Sequence, residues 1–61
     1  MTIDRSALGA SMRTLDDLID RLVELAAEAP VDDEVGGEVR EVERQLRTAA
    51  RRLERAHRAL R

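Results

Sequence analysis

Sixty-one residues are enough for one small domain, and a chain of this size buries only about 60% of the surface that it exposes when unfolded. With no cysteine and a single histidine, the chain has no disulfide to staple it and no set of thiolate and imidazole ligands for a closed zinc site. Its 43% hydrophobic and 39% charged residues, the absence of aromatics and the net charge of −2 fit long helices and coiled coils better than a disordered segment, and leave association with another chain as the means of stabilising so small a core.

Met1 leads into the polar Thr2 and Asp4 without a basic n-region or an apolar h-region, and no apolar run approaches the ~20 residues that cross a bilayer. No membrane span and a cytoplasmic location are therefore expected. All 11 basic residues are Arg. Together with the abundance of Ala, Leu and Val, this gives an actinobacterial-like composition of the kind a GC-rich genome produces. Arginine identity alone is then a weak sign of phosphate binding.

In chain order, Asp4 is placed to be an N-cap, its carboxylate accepting from the first free backbone N–H groups, with Ile3 and Leu8 spaced as a hydrophobic staple. Apolar residues then recur with a heptad spacing: Leu8, Leu15, Leu22 and Ala29 on one line, Ser11, Leu18 and Leu25 on the next. Pro30 ends the helix, since it cannot continue one and pushes the residue before it out of the α region. The second half repeats the pattern, with Val39, Leu46, Leu53 and Leu60 on one line and Val35, Val42, Ala49 and Ala56 on the other. Asp32, Asp33 and Glu34 put negative charge where a helix N-terminus favours it. The expected fold is all-α: an antiparallel, coiled-coil-like two-helix hairpin, with helix 1 at about 4–29, a turn at about 30–33 and helix 2 at about 33–61.

Antiparallel facing residues have numbers that add to a constant. Pairing Leu8 with Ala56, Leu15 with Ala49, Leu18 with Leu46, Leu22 with Val42, Leu25 with Val39 and Ala29 with Val35 gives 64 and centres the turn on Asp32. Gly36 and Gly37 then fall inside helix 2, where they cost about 2 kcal/mol relative to alanine. A loop extending over 30–37 is the alternative. Charge agrees with antiparallel pairing: residues 1–37 carry three Arg and nine acids, and residues 38–61 eight Arg and four acids.

Beyond these two lines, Met12, Ile19 and Ala26 recur every seven residues, with Val23 nearby and Ala50 on helix 2. A stripe wider than one seam is what a helix in a bundle shows. Burying Met12, Ile19 and Val23 against another chain is worth roughly 1.5–3 kcal/mol each before association costs. The expected function is a non-catalytic protein–protein interaction or oligomerisation module, an adaptor or small subunit, that pairs with itself as a homodimeric four-helix bundle or docks on a helical partner.

No catalytic, cofactor-binding or metal residue is assigned. Glu54 and His57 form a Glu-x-x-His pair of the kind used in di-iron bundles, but the expected register sets them beside the seam, opposite Ala10 and Ala7. Asp17, Asp20 and Glu24 read as a solvated ridge, with Asp17 and Arg21 as an i, i+4 pair. Ser6, Ser11 and Thr14 lack the glycine-rich elbow of a nucleophile. The rival function rests on Arg40, Arg44, Arg47, Arg51, Arg55 and Arg58, an outward stripe that could track nucleic-acid phosphates. Against it stand the overall acidity and the lack of any aromatic to stack on a base. Glu43–Arg47 and Glu54–Arg58 pairs would make much of the stripe an ordinary solvated face.

The stretch Leu15–Ala29 resembles the leading helix of GAF-type sensory domains from actinobacteria and, more faintly, the first helix of bacterial chorismate mutases. The sheet of the first and the further helices of the second are missing, so neither activity follows. In size and architecture the chain is similar to plasmid RNA-binding hairpin dimers of the ROP type and to shortened WXG-type secretion hairpins, whose Trp-x-Gly turn it lacks. Shared architecture does not carry function, and no family is assigned on these likenesses.

Overall fold

A computed structural model describes residues 2–60 as two helices, α1 (Arg5–Glu28) and α2 (Glu34–Ala59), folded back on one another. Helix 2, expected to run to about Arg61, stops at Ala59 with Leu60 extended, and Arg61 itself lies outside the described residues. No helix among them is long and apolar enough to cross a membrane. Three of the four helix ends follow from local chemistry. Asp4 caps α1 by accepting from the backbone N–H of Ser6 at 2.9 Å and of Ala7 at 3.4 Å. Ile3 stays exposed while Leu8 turns into the interface, so the expected staple holds little. Ala29, extended at φ −84° and ψ 144° ahead of Pro30, stops α1. The backbone N–H of Asp33 closes a turn on the Pro30 carbonyl at 3.0 Å. The Asp33 carboxylate then caps α2 through the N–H of Gly36 at 2.7 Å. Gly36 and Gly37 thus belong to the first turns of α2, and neither has a positive φ.

The helices meet along a different line from the one the sequence spacing predicted. The only buried hydrophobic residues among those described are Ile19 and Ala26, each 5% exposed. Leu8, Met12, Leu15, Leu22 and Ala29 are half-buried beside them. On α2 the inward residues are Gly36, Val39, Glu43, Leu46, Ala50, Leu53 and His57. Ser11, Leu18 and Leu25, expected in the seam, are exposed, as are Val35, Val42, Ala49 and Ala56. Each helix is therefore turned by one residue, about 100°, at one of its two seam lines.

The cause sits at the turn. A Cβ added at Gly36 would lie 2.7 Å from that of Ala29. The two helices approach there more closely than any side chain permits, and only glycine fits. Ala29 therefore faces Gly36 and not Val35, and the constant becomes 65. The same constant sets Leu8 opposite His57, Met12 opposite Leu53, Leu15 opposite Ala50, Ile19 opposite Leu46, Leu22 opposite Glu43 and Ala26 opposite Val39, which is the half-buried set. At the far end, Gly9 runs close under His57, and a Cβ there would stand 3.4 Å from the ring Nε2.

Candidate functional site

A single layer of two helices has two broad faces, and here they differ in chemistry. The rows displaced from the seam, Ser11, Leu18 and Leu25 on α1 and Val35, Val42, Ala49 and Ala56 on α2, each precede an inward residue by one position. Because the helices are antiparallel, that displacement turns both rows to the same side of the hairpin. Helical geometry sets no charged residue between them. Leu18 is 46% exposed, Leu25 58%, Val35 70% and Val42 46%. The result is an apolar face shared by both helices and bordered on α1 by Thr14 and Arg21, on α2 by Glu38 and Gln45.

The opposite side holds an open groove of about 730 Å³. Met12, Ile19 and Ala50 form its floor, and Asp16, Asp20, Glu54, Arg47 and Arg51 its walls. Charges of both signs face each other across it. Water can reach them all, so the groove has the character of an ordinary polar flank.

This arrangement places most of the residues expected at a partner interface within the hairpin. Ile19 and Ala26 are buried within the hairpin, and Met12 and Ala50 are half-buried along its seam, so these four hold the two helices of one chain together. Val23 is exposed, but it lies on the side away from Leu18 and Leu25. Periodicity found the right width of apolar surface on α1 and assigned its two flanks the wrong way round. Leu18, Leu25, Val35 and Val42, expected in the seam, are the residues this leaves exposed. Their signal was Gly36, the one inward position of α2 at which a close approach demands a missing side chain.

The arginine ridge is divided by its hydrogen bonds. Arg40 is half-buried and donates from Nη2 to the carbonyl of Ala26 at 3.0 Å, capping the C-terminal end of α1. Arg47 pairs with the Glu43 carboxylate at 2.6 Å, and the Glu43 side chain is only 20% exposed. Arg44 meets Glu41 at 2.6 Å and Arg58 meets Glu54 at 3.9 Å, both pairs well exposed. Arg51 donates to the Thr48 hydroxyl at 3.3 Å. Arg55 points outward. Arg40 and Arg47 thus also serve the hairpin itself, the one at the end of α1 and the other at the Glu43 carboxylate.

His57 also has a structural partner. Its Nε2 stands 3.2 Å from the carbonyl of Arg5, whose guanidinium donates back to the carbonyls of His57 and Leu60 at 3.0 Å each. Glu54 lies elsewhere, on the groove wall. Among the described residues, no three His, Cys, Asp or Glu side chains come close enough together to hold a metal ion. Asp17 and Arg21 form no ion pair there; they border Leu18 together with Thr14. In comparisons with known proteins, no family model, no curated protein and no solved structure matches the chain.

Proposed function

We propose that the chain is a non-catalytic helical-hairpin interaction module that docks other helices through the face formed by Leu18, Leu25, Val35 and Val42. The observation that carries this reading is the continuity of that face. Four large aliphatic side chains lie open to water on one side of a hairpin whose opposite side is polar. Scattered surface aliphatics are common in monomers. A contiguous charge-free strip along both helices is the usual mark of a protein contact. The thinness of the core supports the same reading, because no side chain among the described residues is fully buried. A hairpin of this size gains most of its missing burial from a partner.

The test uses the tagged chain as bait in extract of the source cells, beside a Leu18→Asp/Leu25→Asp bait. The wild-type bait is expected to retain a protein, either its own untagged chain or another, that the double variant releases. Retention of nothing by wild type, or of the same proteins by both baits, would refute the reading.

A further inference from the structure

Building on that reading, we infer that the occupant of the apolar face is a second copy of this chain, laid face to face with its turn at the same end, so that each α1 lies on the partner's α2.

The first argument is area. The chain exposes 5110 Å². A compact monomer of 6.9 kDa would expose about 4,000 Å². The excess, about 1,100 Å², slightly exceeds the roughly 800 Å² that each partner contributes to a standard stable interface. Shape agrees with area. The hairpin measures 46 × 16 × 15 Å and has a radius of gyration of 14.3 Å, against about 10.5 Å for a compact domain of this length. It is one layer of a domain that needs two. A second identical layer supplies the missing thickness and turns the seam and the apolar face into the core of a four-helix bundle.

The second argument is self-complementarity, which a two-fold interface requires. At nearby levels along the hairpin, within about 3 Å, α1 offers Ser11, Leu18 and Leu25 where α2 offers Ala56, Ala49 and Val42. Rotation by a half-turn about the long axis keeps those levels and exchanges the helices. Leu18 then lies on the partner's Ala49, Leu25 on the partner's Val42 and Ser11 on the partner's Ala56. A leucine meets a small or medium residue in two of these layers and small meets small in the third, so no layer stacks leucine on leucine. Rotation about the short axis would instead stack α1 on α1 and α2 on α2. That rotation reverses the levels, so that Leu18 meets the partner's Leu18 along one edge while Val42 meets the partner's Ala49 along the other, and the bulk is less evenly shared.

Charge favours the same choice. Three Arg and five acids give α1 a net charge of −2, while seven Arg and five acids give α2 a net charge of +2. Turns at one end set opposite helices against each other across the interface, and turns at opposite ends set like against like.

The chain has no cysteine, so single introduced thiols report the geometry without interference. Light scattering or sedimentation of the purified chain at micromolar concentration is expected to give twice the chain mass, and the Leu18→Asp variant to give the chain mass. If that variant unfolds when released, two near-native variants still decide the matter. A mixture of Leu18→Cys and Ala49→Cys chains, oxidised at equilibrium, should form the mixed disulfide in preference to either symmetric one. Leu18→Cys coupling mainly to itself would overturn the orientation. A folded wild-type monomer at these concentrations would overturn the second copy as occupant. The interaction module would then stand only if the Leu18→Asp/Leu25→Asp bait had released another protein.

Discussion

Arg40, in the second turn of α2, donates its Nη2 hydrogen to the carbonyl of Ala26 near the end of α1, at 3.0 Å. The opposite end of the hairpin has the mirror contact: Arg5, the first residue of α1, donates to the carbonyls of His57 and Leu60 at the end of α2. The last carbonyls of a helix have lone pairs to spare and carry the negative end of its dipole, so a guanidinium is well suited to both places, although Ala26 and His57 also accept from the backbone N–H of Ala29 and Leu60. Each helix thus caps the other. Only Arg40 does so from a half-buried position, where the bond is shielded from water.

Arg40→Ala is therefore expected to destabilise the hairpin by about 1–2 kcal/mol, since hydrogen bonds to charged groups are the stronger kind and alanine costs the helix nothing in propensity. Arg44→Ala, four residues along, removes only an exposed pair with Glu41 and should change stability by less than about 0.5 kcal/mol. Urea denaturation of both variants at one fixed protein concentration makes the comparison. Equal effects at the two positions would show that Arg40 acts as surface charge alone.

The neighbouring glycines should respond to alanine with opposite sign. Nothing lies within 4 Å of a Cβ placed on Gly37, and its backbone is helical. Gly37→Ala should stabilise the chain by up to about 1 kcal/mol through helix propensity and a less flexible unfolded state. A Cβ on Gly36 would stand 2.7 Å from that of Ala29, next to the fixed proline turn. Gly36→Ala must push α2 away from Ala29 at the turn, and should cost about 1–3 kcal/mol despite the same gain in propensity. Thermal melts of the two variants read the difference directly. Stabilisation by both would show that the approach at Ala29 is looser than described.

That pair of glycines also marks where sequence reasoning stopped. Heptad spacing, Pro30 and the capping aspartates make two helices and their reversal legible, because they are local signals. Which flank of α1 faces α2 is not local. Leu8, Leu15 and Leu22 lie at the middle of its apolar arc, with Ser11, Leu18 and Leu25 on one side and Met12, Ile19 and Ala26 on the other. Either side continues the heptad. Hydrophobicity favours Leu18 and Leu25, and on α2 it favours Val35 and Val42 over Gly36 and Glu43. Backbone proximity at Ala29 and Gly36 reverses both preferences. The caps from Arg5 and Arg40 were equally hidden, since their acceptors are carbonyls on the other helix and have no side-chain signature.

The exchange of flanks gives a contrast between two large aliphatic residues on α1. Ile19 is 5% exposed and holds the seam, whereas Leu25 is 58% exposed on the open face. Ile19→Ala should remove about 2–3 kcal/mol, the lower part of the range for core truncations, because a two-helix seam can partly collapse around the gap. Leu25→Ala should leave the stability of a dilute sample within about 0.5 kcal/mol of wild type. Its effect should appear only in the rise of melting temperature with protein concentration, which reports association. A melting temperature equally lowered at all concentrations by Leu25→Ala would place that residue back inside the hairpin.

Glu43 is the acidic residue of the seam, opposite Leu22, and Arg47 one turn later holds its carboxylate at 2.6 Å. A partly desolvated pair of this kind is worth little against a well-packed apolar residue, yet removing one partner leaves the other stranded. Arg47→Ala should therefore destabilise the chain, by about 1 kcal/mol given that its own side chain is half exposed. Glu43→Leu, by contrast, should be neutral or stabilising by about 1 kcal/mol as the new aliphatic side chain packs on Leu22 and frees Arg47 to the solvent. In Glu43→Leu/Arg47→Ala the cost of losing Arg47 should largely vanish. A double-mutant cycle from chemical denaturation measures that coupling. If Arg47→Ala costs as much in the Glu43→Leu background as in the wild type, the arginine stabilises the helix by some contact other than this carboxylate.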